Sequence, residues 1–242
     1  MFFNKPKFKF YSTIPGVCET YPIIEAKKVK HNWVKPAVDA FKAKIANIDN
    51  YQNTLTGVAK CPGVFDIMHQ GWILTAWCDI IIEVDLDKNF INWRVPEMLN
   101  GLTCGDDFNK PVVSFISTAN PEMSIPMKKS DIPLLVKINT PWTVEIPKGW
   151  KLLLLPVSYS DDTRFKSTEG ILRSEEYMEI NPQLYWSVKH GSELIKAGTP
   201  LCQMIPVRDN SVTFECNDFT NDQRKKQKQT YFKRASTFIR KA

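Results

Sequence analysis

Three histidines are the first candidates for chemistry, because histidine serves both as a metal ligand and as a general base. His31, His69 and His190 lie far apart in the chain. None stands in an HxH, HxD, HxxxH or HExxH pattern, the spacings that bring ligands together on one strand or helix. We therefore expect three surface or loop histidines, no metal and no cofactor. The sequence leaves open whether the three meet in space.

Arg164 is the strongest candidate for holding a ligand. It belongs to the polar stretch at residues 161–165, which directly follows the long apolar run at residues 152–159. Polar residues that leave a buried strand often line a pocket, and a guanidinium can anchor a carboxylate or phosphate through paired hydrogen bonds. We expect Glu169 and Gln203 to converge with Arg164 if such a pocket exists. The alternative is an ordinary exposed loop arginine.

Signatures of nucleophilic catalysis and of nucleotide binding are missing from the sequence. It contains no GxSxG elbow, no P-loop and no GxGxxG. The six cysteines include no CxxC pair, and several lie in apolar, strand-like runs where a free thiol acts as a small hydrophobe. We expect the cysteines to be reduced. A pairing of Cys61 with His69, as a nucleophile and its base, is left open.

The formal net charge of +6 belongs to the end of the chain. Removing the eight basic residues of the last nineteen leaves residues 1–222 with about −2, so the body is nearly neutral. An apolar stripe at three- and four-residue spacing predicts a helix over residues 221–240, with Thr220 or Asn221 as its N-cap.

This helix has three interpretations. It packs its stripe on the body and leaves the basic face in solvent, it lies on an acidic membrane surface, or it binds nucleic acid or another acidic partner. The residues that would bind an acidic partner are Arg224, Lys225, Lys226, Lys228, Lys233 and Arg234.

The elements that must position these side chains are mainly strands. Short β-branched and aromatic runs alternate with Pro, Gly, Asn and Asp turns. Lys60-Cys61-Pro62-Gly63 is predicted to be a turn. One long run at residues 72–85 has a break near Asp79, a hairpin loop follows at residues 85–89, and the last strand is predicted at residues 212–216. Residues 33–48 carry apolar side chains at helical spacing and predict one amphipathic helix.

This pattern predicts a mainly β fold, a single β-sandwich or jelly-roll-like domain with one helix near the N-terminal part and a C-terminal helix. We assign residues 1–218 to the β-sandwich body, with the helix at about 33–48 packed on it. Residues 219–242 form the basic amphipathic helix. The first ten residues lack a signal-peptide apolar region, and the apolar run at residues 152–157 is too short to cross a bilayer. We expect a cytoplasmic protein with no transmembrane segment.

Several motifs in the body resemble those of a known protein family. They are Thr140-Pro141-Trp142, Pro147-Lys148-Gly149-Trp150 and the run from Ala197 to Pro206, together with Cys61-Pro62-Gly63 and the run from Gly71 to Trp77. They are similar to an uncharacterised family from marine tailed phages and ocean metagenomes, and the likeness covers most of residues 8–208. The resemblance implies a viral origin, with the protein in the host cytoplasm or the virion. That family has no assigned activity, so it supplies no catalytic residues.

A second likeness concerns the fold alone. The run Gly198-Thr199-Pro200-Leu201-Cys202-Gln203 is similar to a late strand of trimeric dUTPase-type folds, but a Gly-rich C-terminal motif is missing. Two functions follow from the sequence. The first is a non-enzymatic β-sandwich protein that acts by assembly or binding, as a homo-oligomer. The alternative is a small-molecule or nucleotide enzyme on a cupin-like or dUTPase-like β fold.

Overall fold

The computed structural model describes residues 6–46, 61–99, 110–117, 132–173, 178–218 and 220–239. The chain divides into two units, Met1–Asp209 and Asn210–Ala242. The helices are α1 (Val17–Thr20), α2 (Val34–Ala46), α3 (Pro62–Met68) and α4 (Asn221–Ile239). None of the helices within the described residues combines the length and the apolar character that crossing a bilayer requires.

The described residues of the first unit contain fifteen strands. In chain order they are β1 (Lys9–Ser12), β2 (Ile24–Glu25), β3 (Trp72–Thr75), β4 (Ile80–Asp85), β5 (Phe90–Arg94), β6 (Val113–Ser117), β7 (Leu134–Ile138), β8 (Trp142–Glu145), β9 (Trp150–Leu155), β10 (Phe165–Ser167), β11 (Gly170–Arg173), β12 (Met178–Glu179), β13 (Gln183–Trp186), β14 (His190–Ile195) and β15 (Pro200–Arg208).

The strands form four antiparallel sheets. Their orders are β11-β9-β15-β3-β2, β10-β13-β7-β6, β1-β8-β12 and β14-β4-β5. Buried side chains from all four sheets join one hydrophobic cluster. The predicted mainly β fold, with few helices and a helix at the C-terminus, is confirmed. The arrangement fits a β-sandwich, while jelly-roll connectivity stays a prediction.

The long apolar run at residues 72–85 illustrates how the sequence produces these sheets. It separates into β3 and β4, which belong to different sheets, and the break falls at residues 76–79 as predicted. Along β4, Ile80, Ile82 and Val84 are buried while the residues between them are half-buried, which is the period-two pattern of a strand with one core face. β4 then pairs with β5 across the predicted hairpin loop.

One glycine is required by close packing between the turn before β3 and β15. Gly71 has a φ of 70°, and a Cβ atom added to it would collide with the backbone carbonyl oxygen of Met204. Its own carbonyl oxygen accepts a hydrogen bond from the amide of Ala26 at 3.0 Å. Any side chain there would have to push β3 away from β15, so glycine is needed for both its conformation and its size.

Two predictions about local structure are wrong. Residues 212–216 alternate as a strand does, but the structure has no strand there, and Val212 and Phe214 are 86% and 92% exposed. Alternation describes a strand only if a neighbouring edge supplies hydrogen bonds. The turn predicted around Cys61-Pro62-Gly63 is instead the start of α3, where Pro62 occupies the first helical turn.

Candidate functional site

A cleft lies where the loop after β9 meets two sheets. Its volume is about 530 Å³, and its walls come from residues 156–163, from β10 and β13 of the four-stranded sheet, and from the start of β15. Pro156, Val157, Phe165 and Leu201 supply apolar surface. The polar side chains on the walls include Ser160, Asp162, Lys166, Ser167, Glu169 and Tyr185.

Arg164 is held by its own loop instead of facing this cleft. Its Nε and Nη2 atoms donate to the two carboxylate oxygens of Asp162 at 3.0 and 2.7 Å, and Nη1 donates to the carbonyl oxygen of Leu194 at 2.6 Å. The carboxylate of Glu193 lies 3.5 Å from Nη1. The hydrogen bond with Asp162, despite partial burial, raises the pKa of Arg164 above its usual range. Arg164 thus joins the loop to β14.

Gln203 is a buried residue that connects β15 to two other segments of the chain. Its side chain is 1% exposed. Nε2 donates to the carbonyl oxygens of Ile67 and Gln70 at 2.7 and 2.8 Å, and Oε1 accepts from the amide of Ser158 at 3.1 Å. All its hydrogen-bonding groups are therefore used to fasten the end of α3 and the start of the cleft loop to β15.

Glu169 alone of the three predicted residues lies on the cleft wall. A second cavity of about 360 Å³ also touches Glu169, and Tyr185 lines both, so these two side chains stand where the cavities adjoin. Within the described ranges, neither Glu169 nor the neighbouring Lys166 has an ion-pair partner. The expected convergence of Arg164, Glu169 and Gln203 on one pocket is not found, because the first and last are committed to the protein's own backbone and carboxylates.

Two features of the cleft were missed by sequence reasoning. Ser167 is 2% exposed, and its hydroxyl has no hydrogen-bond partner within the described structure. Tyr159, at the rim, is 47% exposed and has a φ of 56°. The only signal for either was the polar stretch that follows β9, since no short-range pattern distinguishes a serine on a cleft wall from a serine in a turn.

The rim residue Tyr159 is held from the side by the segment that precedes α2. Nε1 of Trp33 donates to the carbonyl oxygen of Tyr159 at 3.0 Å, and the two rings lie 6.0 Å apart. The amide of Asn32 donates to Oδ2 of Asp161 at 2.8 Å. These contacts tie the surface loop to the segment that precedes α2.

The histidines do not gather into one site. In the part of the chain that the structure describes, one group of three metal-ligating side chains exists, and it holds His190 with Asp85 and Asp87. His190 and Asp87 are exposed, and Lys88 already pairs with Asp85 at 2.9 Å. This exposed, partly neutralised cluster resembles an ordinary surface charge group more than a built metal site.

The cysteine chemistry that the sequence left open is not supported by the geometry. Cys61 precedes α3 and His69 follows it, so the seven-residue helix separates them by about 12 Å along its axis. The length of α3 therefore does not favour a Cys61–His69 nucleophile and base pair. Burial raises the pKa of Cys202 to about 12, so this thiol stays protonated at neutral pH. Cys18 and Cys216 are free like these two.

The basic helix α4 begins as the sequence predicts. The hydroxyl of Thr220 accepts from the amide of Gln223 at 3.3 Å, and Oε1 of Gln223 accepts from the amide of Thr220 at 2.8 Å. This reciprocal pair is a capping box with Thr220 as the N-cap. Residues 221–230 are all exposed, including Arg224, Lys225, Lys226 and Lys228, and Lys233 and Arg234 lie further along the same helix.

Comparison with known proteins adds no relative. No protein-family model matches the chain, and no curated protein is significantly similar to it.

Proposed function

We propose that this protein is a non-enzymatic β-sandwich protein that acts by self-assembly, and that residues 211–216 of one copy add a strand to a sheet of a second copy. The observation that carries the proposal is the exposure of Val212 and Phe214, 86% and 92%, in a segment that alternates like a strand. Burying two such side chains contributes about 3–6 kcal/mol, and backbone pairing with a sheet edge adds to this against the cost of association.

The acceptor that fits this segment best is β11, an edge strand of the five-stranded sheet. An edge strand presents unpaired amide and carbonyl groups, which a strand from another chain can bind. Ile171 on β11 is 56% exposed and offers an apolar contact. Arg173 on β11 and Glu215 in the segment are both exposed, so the acceptor strand and the added strand carry opposite charges that can attract each other.

Assembly is favoured over the alternative, a small-molecule or nucleotide enzyme on a cupin-like or dUTPase-like fold. That alternative requires Arg164, Glu169 and Gln203 in one pocket, yet Arg164 binds Asp162 and Gln203 binds backbone groups. A viral origin, and with it a place in the host cytoplasm or the virion, stays a prediction. So does the binding of an acidic partner by α4.

The test is native mass spectrometry of the full chain at tens of micromolar, which populates an interface whose dissociation constant is about 1 μM. We expect a defined oligomer for the wild type and a monomer for the double variant Val212→Asp with Phe214→Asp. The matched control is Asn210→Asp with Asn217→Asp, which adds the same two charges but keeps the apolar side chains and should stay oligomeric. A monomeric wild type, or an oligomer that survives the loss of both apolar residues, overturns the proposal.

The acceptor strand is tested by a charge exchange. Arg173→Glu alone should weaken the oligomer, and Arg173→Glu combined with Glu215→Arg should restore it. If the double variant forms no more oligomer than Arg173→Glu alone, β11 is not the acceptor.

A further inference from the structure

The cleft beside the loop after β9 indicates a ligand-binding site that does not depend on assembly. We infer that it binds a small uncharged polyhydroxyl molecule, a sugar. Its volume of about 530 Å³ lies within the range of small-molecule sites.

The buried hydroxyl of Ser167 is the first observation that points to a ligand. It lines the cleft, is 2% exposed and has no hydrogen-bond partner within the described residues. An unsatisfied buried polar group is unfavourable, and native proteins contain few of them. The hydroxyl oxygen has almost no accessible surface, so a ligand reaches it only when the cleft wall shifts slightly. A ligand hydroxyl, which both donates and accepts hydrogen bonds, would then satisfy Ser167 in either orientation.

The charges on the cleft wall favour a neutral ligand. Lys166 and Glu169 have opposite charges, and Asp162 is neutralised by Arg164 through a bidentate pair. The wall therefore carries no net charge that would attract an anion. The guanidinium beside the cleft is already occupied by Asp162 and the Leu194 carbonyl oxygen, and the ammonium of Lys166 is offset by the carboxylate of Glu169 on the same wall.

Lys166 and Glu169 suit hydroxyl groups in a complementary way. The ammonium donates only, and the carboxylate accepts only. Each hydroxyl of a sugar can take either role, so one ring can contact both residues at once. Hydrogen bonds of this kind are stronger than neutral ones because one partner is charged.

The rim supplies the apolar surface that a sugar ring also needs. Tyr159 is 47% exposed, and a tyrosine ring has an apolar face with a polar tip. Trp33 fixes Tyr159 by binding its carbonyl oxygen and by packing beside its ring at 6.0 Å. Asp162 is fixed in turn, because its amide donates to Oγ of Ser160 at 3.1 Å. A loop that is already ordered loses little entropy when it binds a ligand.

Saturation-transfer NMR with a panel of monosaccharides and disaccharides tests this inference. The panel comprises glucose, galactose, mannose, N-acetylglucosamine, maltose and cellobiose, with the full chain as receptor. Each sugar is present at about 10 mM, above the millimolar dissociation constants of weak ligands. We expect saturation transfer to at least one sugar. Its dissociation constant should rise about tenfold in Glu169→Gln, because a charged acceptor is lost.

The controls separate the cleft from other surfaces. Glu97→Gln makes the same chemical change at an exposed residue away from the cleft and should bind like the wild type. Tyr159→Ala should abolish transfer. Adenosine and AMP are the competing small ligands. The inference is overturned if no sugar shows saturation transfer, or if adenosine or AMP binds more tightly than every sugar. It is also overturned if both cleft variants still bind the sugar. None of these variants touches residues 211–216, so the assembly proposal is judged separately.

Discussion

The buried amide of Gln203 allows a quantitative test of how the cleft loop is held. Its three hydrogen bonds join β15 to residues that lie 133, 136 and 45 positions away in the chain. In Gln203→Leu the carbonyl oxygen of Gln70 and the amide of Ser158 lose these partners. The carbonyl oxygen of Ile67 keeps one hydrogen bond, from the amide of Gln70 at 3.2 Å.

The expected cost follows from these contacts. Each hydrogen bond contributes about 1 kcal/mol net, so removing three lowers the free energy of unfolding by about 3 kcal/mol. In a protein of this size that corresponds to a fall in Tm of about 6–12 °C. Leucine matches glutamine closely in volume, so neither a cavity nor crowding should add much to the change.

Urea denaturation followed by tryptophan fluorescence measures the change, since the chain has seven tryptophans. The matched control is Gln70→Leu, the same substitution at an exposed side chain, which should alter stability by less than about 0.5 kcal/mol. If Gln203→Leu lies within about 1 kcal/mol of this control, the amide does not hold the loop, and the reasoning from its contacts fails.

Two further predictions concern charge. Glu179 accepts from Lys110 at 2.9 and 3.0 Å; burial opposes its ionisation, but Lys110 and Asn181 outweigh it and hold the pKa of Glu179 below its usual 4.5. Because the folded-state pKa is the lower one, Glu179 stabilises the fold above pH 4.5, and this contribution is lost as the pH falls through the folded value. Glu179→Gln should therefore cost about 1 kcal/mol at pH 7, measured by urea denaturation, and less as the pH is lowered. A cost that does not change with pH would contradict the ionic origin. For α4, fluorescence anisotropy with single-stranded DNA should give a binding constant that falls with salt, with a logarithmic slope of about −0.7 per phosphate contacted. Replacing the four basic residues of the first half of α4 by glutamine should flatten that slope by about 3; they are Arg224, Lys225, Lys226 and Lys228. If no binding is seen at low salt, nucleic acid is not the partner of α4.

The sequence by itself determined the features that depend on near neighbours. The alternation of Ile80, Ile82 and Val84 placed one face of β4 in the core, because side chains of a strand alternate whatever the sheet around them. The N-cap at Thr220 and the helix near residues 33–48 were predictable for the same reason, since capping and amphipathic spacing act over one or two turns.

Only the tertiary structure decided what the polar residues do. Arg164 looked like a ligand anchor, but a carbonyl oxygen 30 residues away and the carboxylate of Asp162 occupy it. Gln203 looked like a pocket residue, but backbone groups more than 130 positions away use its amide. Residues 212–216 have the alternation of a strand, yet alternation carries no information about which edge will pair with it. Partners that are distant in sequence are set by how the sheets pack, so no local pattern of residues can reveal them.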